Sequence, residues 1–327
     1  MSEPETSVVI PNWNGRDLLE ACLGSLRRQT YQDFEVIVVD NGSSDDSVQF
    51  IQTNFSEVKV TRLPVNQGFC KAVNCGIKLA RGKYIALLNN DTETHPAWLE
   101  ELVGALRENP RIGFCASKML NFFQRDRIDN AGDGLSYYGY NAGQGEADSG
   151  QYDRTRLVLS ACAGAAIYRR ELFSDTGLFD EDFFAYYEDI DLALRAQLKG
   201  YQCLYVPTAV VYHIHQATSN RILAKQFFCK QRNICFVHLK NIPYKLLLKI
   251  LPVFLALHLF VSFSYFVKTK DLKTVLRIYW HVLKAIPTVM RKRKVIQVHK
   301  TVPSSYFESV TGPFPSLFSY LFKQRKK

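Results

Sequence analysis

None of the eight cysteines stands in a CxxC pair; they are scattered at positions 22, 70, 75, 115, 162, 203, 229 and 235. That spacing excludes a zinc ribbon or finger and reads as reduced thiols in a cytosolic compartment. A glycine-rich GxGxxG turn is also missing. The first strand-like run, Ser7-Val8-Val9-Ile10, leads instead into Pro11-Asn12-Trp13-Asn14-Gly15. A dinucleotide-binding dehydrogenase needs that turn, so this class is set aside. Met1 to Thr6 is polar and acidic and lacks the basic start and apolar run of a signal peptide. Acids nearly vanish from the last third. Residues 221–327 hold 21 Lys+Arg against Asp271 and Glu308, a balance of +19, whereas residues 1–220 hold 20 basic and 29 acidic residues, a balance of −9.

What remains is a chain of 327 residues with 47% hydrophobic content, enough for a sizeable core. Apolar strand-like runs alternate with helical spacings. Ser7–Ile10 is followed by Leu19, Cys22, Leu23 and Leu26 at helical intervals, and Phe34–Val39 by a helix to about Asn54, capped from Ser43–Asp46. Val58–Leu63 is followed by a helix to Leu79, and Tyr84–Leu88 by a helix from Pro96. The alternation predicts an α/β fold with a parallel, doubly wound sheet. Arg111–Ala116 and Tyr201–Tyr212 read as further strands, and a helix is expected to follow Glu188-Asp189. The segment 126–156 reads as an irregular excursion. Small residues at Ala161-Cys162-Ala163-Gly164-Ala165 permit close approach of a ligand or another backbone.

In such a sheet, ligands bind at the carboxyl ends of the strands. Leu87-Leu88-Asn89-Asn90-Asp91-Thr92 drops from a strand into a polar turn with one carboxylate, which suits a divalent metal carrying phosphate oxygens. Strands also end in Asn and Asp for turn reasons alone. Asp40 ends the second strand, and Glu188-Asp189 and His213 stand at comparable places.

These motifs together resemble family 2 glycosyltransferases of the GT-A fold, in the rhamnosyltransferase-like branch. The carrying residues are Val8 to Gly15, Val38 to Asp45, Asn66-Gln67-Gly68-Phe69 with Asn74-Cys75-Gly76, Leu87 to Asp91, and the run Gly164 to Arg195 ending in Tyr187-Glu188-Asp189-Ile190-Asp191-Leu192. The likeness covers roughly residues 5–245. It implies a Rossmann-like, mainly parallel central sheet flanked by helices over residues 1–220. It implies a nucleotide site at Pro11, Asn12, Trp13, Asp40, Asn41, Asn66, Gly68 and Asn90, with Asp40 accepting the N–H of uracil or thymine.

Asp91 stands where the family has the last acid of its DXD motif and is expected to bind Mg²⁺ or Mn²⁺ bridged to the diphosphate, with Asn at positions 89 and 90. His213, or His215 two residues on, is the expected second ligand. Asp189 is the expected general base and Glu188 the runner-up, with Asp191 a helix-start acid. Gly164 and Arg232 are candidates for acceptor or phosphate contact. Lys71 and Asn74 have either a phosphate role at a helix start or a capping role. Glu93 is a solvated alternative acid. The implied donor is dTDP-rhamnose first and a UDP-sugar next, and the implied acceptor a lipid-linked or growing cell-surface glycan.

The region 221–327 reads as a basic, helical, membrane-associating tail. Leu246–Val267 is long enough to span a bilayer but is interrupted by Lys249, Pro252 and His258. Leu272, Leu276, Tyr279, Leu283 and Ile286 form an apolar stripe beside Lys273, Arg277, His281 and Lys284, ahead of Arg291-Lys292-Arg293-Lys294. This is the pattern of a protein lying on the cytoplasmic face of a membrane, and its apolar and aromatic content favours membrane over nucleic acid. A non-catalytic nucleotide-sugar or membrane binder on the same fold is the alternative.

Overall fold

The computed structural model describes residues 3–214, 223–311 and 314. His215, one of the two expected histidine ligands, lies outside them. The first half alternates as expected: β1 (Thr6–Asn12), α1 (Arg16–Arg27), β2 (Phe34–Asp40), α2 (Ser47–Asn54), β3 (Lys59–Arg62), α3 (Phe69–Leu79), β4 (Tyr84–Leu88), β5 (Thr92–Thr94) and α4 (Trp98–Glu108). Next come β6 (Ile112–Asn121), β7 (Ile128–Asn130), β8 (Asp133–Leu135), β9 (Gly139–Asn141), β10 (Arg156–Val158), β11 (Ala165–Arg169), α5 (Arg170–Thr176), α6 (Glu188–Leu198) and β12 (Gln202–His213). The tail holds α7 (Leu223–Asn241), α8 (Tyr244–Thr269), α9 (Leu272–Val298) and α10 (Ser304–Val310).

The main sheet runs β10-β12-β6-β11-β4-β1-β2-β3. Pairs β1–β2, β1–β4, β2–β3 and β6–β12 are parallel, while β11 runs antiparallel between β4 and β6. The six long-path strands β3, β2, β1, β4, β6 and β12 therefore point one way, and their carboxyl ends share one edge. Both faces are covered, which explains the near-continuous apolar runs. Val8 and Ile10 join one core with α1 and α4, and the alternate Val9 joins the other with α3 and α6. Pro11, expected to end the first strand, lies inside it. Pairing with β2 continues to Asn12↔Asp40, whereas pairing with β4 stops at Val9, and a proline is tolerated where a ladder stops. The segment 126–156 is more ordered than expected, since β7 extends β6 and β8–β9 form a small hairpin.

The change of composition near residue 220 is not a break in packing. Ile234, Phe236 and Val237 of α7 lie in the same core as Val9 and Leu87. Lys240, fully buried on α7, reaches Asp180 and Asp191 at 2.6 and 2.7 Å. Lys292 of α9 reaches Asp180 and Asp182 at 2.6 and 2.7 Å. One face of α8, from Leu246 to Ser262, is buried, and His258 meets the Gln231 carbonyl of α7. The opposite face leaves Leu255, Leu259, Phe260 and Phe263 exposed, and α9 exposes Leu276, Trp280, Leu283 and Ile286. Of the expected α9 stripe, only Tyr279 turns inward, to His258 and Ser262. The rest of the stripe faces outward.

Candidate active site

The shared sheet edge is built first from amides. Asn12, almost fully buried, donates to Asp40 Oδ1 at 3.4 Å and to Ser43 Oγ at 3.5 Å, and its own Oδ1 accepts from Asn90 Nδ2 at 2.7 Å. One side chain thus links the ends of β1, β2 and β4. Asp40 is wholly buried, accepts the Ser43 N–H at 3.2 Å, and pairs with the exposed Arg62 at 3.4 Å. Asn41 clasps the 66–68 turn: its Nδ2 donates to Asn66 Oδ1 and to the Gly68 carbonyl, and its Oδ1 accepts the Gln67 N–H. Gly68 has φ +91°, and a Cβ there would sit 2.6 Å from the Phe184 ring, so both its conformation and its space require glycine. Pro11 and Trp13 flank this set, each half-buried.

Asp91 follows β4 and is joined to the far side of the sheet by pairing. β5 pairs antiparallel with β12, setting Thr92 opposite His213, and Asp91 accepts the Ile214 N–H through its carbonyl. His213 Nε2 lies 3.3 Å from Asp91 Oδ1, and His213 Nδ1 lies 2.7 Å from Asp129 Oδ2. Burial disfavours protonation of this imidazole, but contacts with Asp129 and Asp91 outweigh it and raise the group to about 10. Asp91 Oδ1 makes no hydrogen bond despite its burial. A buried acid oxygen without a hydrogen-bond partner, facing an imidazole nitrogen, fits a cation that would displace the Nε2 proton. Among the described residues no group of three or more His, Cys, Asp or Glu side chains is arranged to hold a metal alone. Asp91 and His213 therefore fit Mg²⁺ or Mn²⁺ only with ligands brought by substrate. Glu93 is not solvated as expected; it pairs with Arg125 and Arg28.

Two consecutive residues bridge this turn to the second pair of acids. The Gly164 carbonyl accepts from Asn89 N–H at 2.8 Å, and the Ala163 N–H bonds Asp189. A Cβ on Gly164 would lie 2.9 Å from the Asn89 amide, so it serves close backbone approach. Asp189 also accepts its neighbour Ile190 N–H at 2.8 Å. Burial raises its carboxyl against these bonds. Glu188 is raised well above the usual range, by burial first and then by the charges of Asp189, Asp191 and Asp133, and its Oε2 has no partner. Asp191 is structural, as expected: it pairs with Arg195 at 3.0 Å and with Lys240, and accepts from Asn241 at 2.8 Å.

Sequence reading missed Asp129 and Asp133. Asp133 is raised well above its usual range by burial and by Asp189, and its Oδ2 is unpartnered. With Asp129 it continues the acids from His213 toward Asp189. The strained segment before α6 was also missed. Phe184, Tyr186 and Tyr187 have φ of 65°, 71° and 67°, in the left-handed region that aromatic residues avoid. Asn233 Nδ2 donates to the carbonyls of Phe183, Ala185 and Tyr186 at 3.0, 2.9 and 2.8 Å and holds the segment in place. Arg232 donates to the carbonyls of Asp182 and Phe183. Asn74 is structural, bonding both the N–H and the carbonyl of Phe179, while Lys71 is exposed.

The glycosyl transferase family 2 model matches residues 7–177, just over half the chain. The O-antigen biosynthesis protein RfbC of Myxococcus xanthus is 30% identical over 67% of this chain, and an uncharacterised protein of Sinorhizobium fredii, y4gI, is 31% identical over 66%. The chain spans only 18% and 25% of the lengths of these relatives. Among solved structures, residues 1–349 of S. aureus TarS align with a TM-score of 0.58 at 19% identity, covering 98% of this chain and 92% of that one. GalNAc-T7 with UDP, GalNAc and Mn²⁺ aligns with a TM-score of 0.58 at 17% identity, covering 72% of this chain and 48% of that one. These neighbours share the GT-A-like architecture, a mainly parallel mixed sheet with flanking helices, here followed by a helical tail. The motif-bearing strand ends that meet at one edge lie within or just beyond the matched span, and the chain belongs to glycosyl transferase family 2, a family of transferase enzymes.

Proposed function

We propose that the chain is an inverting glycosyltransferase that moves a sugar from a nucleotide-sugar to a lipid-linked or growing cell-surface glycan. The observation that carries this reading is the desolvated Glu188–Asp189 pair, bridged through residues 163 and 164 to the turn that bears Asp91. Asp189 is the general base. It removes the acceptor hydroxyl proton while that oxygen attacks the anomeric carbon, and the bond to the diphosphate oxygen breaks with its electron pair leaving on the diphosphate. One displacement inverts the configuration, so no protein nucleophile is needed. Burial raises the proton affinity of Asp189, and the Asp189 charge in turn holds Glu188 protonated beside it.

Asp40, Asn41 and the Asn66–Gly68 turn hold the base and ribose, with Asn12 and Asn90 fixing that wall. Asp91 and His213 would hold Mg²⁺ or Mn²⁺, which when bound supplies positive charge to the leaving diphosphate. dTDP-rhamnose is the favoured donor and a UDP-sugar the next. The naming of RfbC for O-antigen biosynthesis and the presence of UDP and Mn²⁺ in the GalNAc-T7 structure accord with this class of donor and product. We place the chain on the cytoplasmic membrane face, with α8 and α9 lying in the interface. By length and composition α8 is able to cross a membrane. Its packing along α7 from Leu246 to Ser262 favours the lying arrangement.

The test is transfer to a glycan acceptor by Asp189→Asn, with a panel of nucleotide-sugars, with and without Mn²⁺, and product linkage read by NMR. Loss of transfer with nucleotide binding intact and an inverted anomeric centre is expected. Full activity of the variant sinks the assignment of the base.

A further inference from the structure

Beside the strained segment lies a cavity of ≈ 380 Å³, lined by Phe184, Lys225, Phe228, Arg232, Thr274 and Arg277 among others. Three of its walls are cations. Arg232 and Arg277 both lie over the Phe228 ring, at 5.3 and 5.4 Å, and Lys225 lies 4.1 Å over Phe184. Among the described residues none of the three has an acid within ion-pair distance. Asp182, whose charge acts on Arg232, pairs with Lys292, and Asp271 caps α9 through the Thr274 N–H. The cluster leaves a mark on its neighbour His281, whose ring meets Phe228 edge-on at 5.2 Å. Burial, and then the charges of Arg232, Arg277 and Lys284, lower its proton affinity. Two guanidinium groups share one aromatic face, and neither has a carboxylate as ion-pair partner among the described residues. A bound anion would meet all three cations at once.

The surroundings identify the kind of anion. Two arginines and a lysine around one cavity match phosphate oxygens. On α9, Arg277 stands between Leu276 and Trp280, both exposed, on the face that carries the outward apolar stripe. A free nucleotide or inorganic phosphate needs no such apolar rim, whereas a phosphate on a lipid tail does. On the other side the cavity shares Phe184 with the catalytic edge. The Phe184 carbonyl accepts from Cys70 N–H at the start of α3, its ring abuts Gly68, and Glu188 follows four residues later. We propose that this cavity binds the phosphate or diphosphate head of a membrane-borne lipid, the carrier of the acceptor sugar. This deepens the glycosyl-transfer reading and rests on it for the word acceptor. It gives Arg232 a double part, holding the segment before Asp189 and facing the lipid head.

The experiment measures binding of farnesyl diphosphate to the full chain in neutral detergent, with farnesol and inorganic diphosphate as comparison probes. The variant is Lys225→Gln with Arg277→Gln; both side chains are exposed and neither holds the fold together. Farnesyl diphosphate is expected to bind at least tenfold more tightly than either comparison probe, and the double variant to lose roughly tenfold or more of that affinity. Equal affinity for inorganic diphosphate overturns the lipid source. An unchanged variant, or one that loses nucleotide-sugar instead of farnesyl diphosphate, overturns the site. Nucleotide-sugar binding is measured on the same samples: its absence beside intact farnesyl diphosphate binding refutes the glycosyl-transfer reading and leaves the cavity assignment standing.

Discussion

Lys240→Met tests whether the basic tail and the catalytic body are one cooperative unit. The ammonium of Lys240 is fully buried and lies 2.6 Å from Asp180 and 2.7 Å from Asp191. Methionine keeps the volume and removes the charge. Breaking a buried pair from one side costs about 3–5 kcal/mol because the remaining charge is stranded. Here both acids keep other partners, Asp191 with Arg195 and Asn241, and Asp180 with Lys292. The low end, about 3 kcal/mol, is therefore expected, or roughly 6 °C in Tm at about 2 °C per kcal/mol for a large domain.

The pH dependence has a definite sign. Burial opposes ionisation of Asp180, but Lys240 and Lys292 outweigh it and hold the carboxyl well below its usual range. A depressed folded value contributes stability that is present above the unfolded value, about 3.9, and is lost as pH falls through the folded one. The variant weakens that contribution, so the gap between the two proteins is widest at neutral pH and narrows below about pH 4. Calorimetry of the full chain in detergent at pH 7 and at about pH 2.5 reads both effects. Two separate transitions with only one displaced, or a loss under about 1 kcal/mol at pH 7, would refute the reasoning.

Three further outcomes follow from the same contacts. Asn233→Ala releases three carbonyls of the left-handed segment; kcat should fall at least tenfold with nucleotide affinity nearly unchanged, and an equal loss of both in steady-state kinetics and thermal shift would count against a positioning role. Asp133→Asn removes a buried charge with one unpartnered oxygen. Its folded-state affinity for the proton is raised, so ionisation penalises the native state as pH climbs above about 3.9. The variant should match wild type near pH 4 and melt higher at pH 8, by about 1–3 kcal/mol; a lower melting point at pH 8 would show that the charge is compensated. For the base, burial raises Asp189, so the acid limb of the transfer rate should lie above that of an ordinary aspartate, about 3.9; a limb at that value in a profile from about pH 3 to pH 9 would remove Asp189 from the role.

The parts of the site that were legible in the sequence are those whose position follows from one strand end. β1, β2 and β4 are short apolar runs ended by polar turns, and parallel pairing puts all three ends on one edge, so Asn12, Asp40 and Asp91 could be placed before the fold was known. Asp129 and Asp133 could not. They lie in a stretch without periodicity, and Asp129 acquires its partner His213 only because β12 pairs with both β5 and β6, 84 residues along the chain. Phe184, Tyr186 and Tyr187 give no turn signal, since left-handed backbone is ordinarily marked by Gly or Asn. Their conformation is imposed by Asn233, some 50 residues downstream.

The tail therefore carries two patterns at once, and its composition revealed only one. The excess of positive charge is visible as a membrane-directed pattern, but the same helices also contribute inward-facing polar groups to the body: Asn233 to the backbone before Asp189, Lys240 to Asp180 and Asp191, and Lys292 to Asp180 and Asp182. Because α6 begins at Glu188 and carries Asp191, displacement of α7 or α9 acts directly on the element that bears the candidate base. A chain cut near residue 220 would lose the clamp on the strained segment, strip Asp180 of both its cations and leave Asp191 with Arg195 alone. The loss would fall on the geometry around the candidate base.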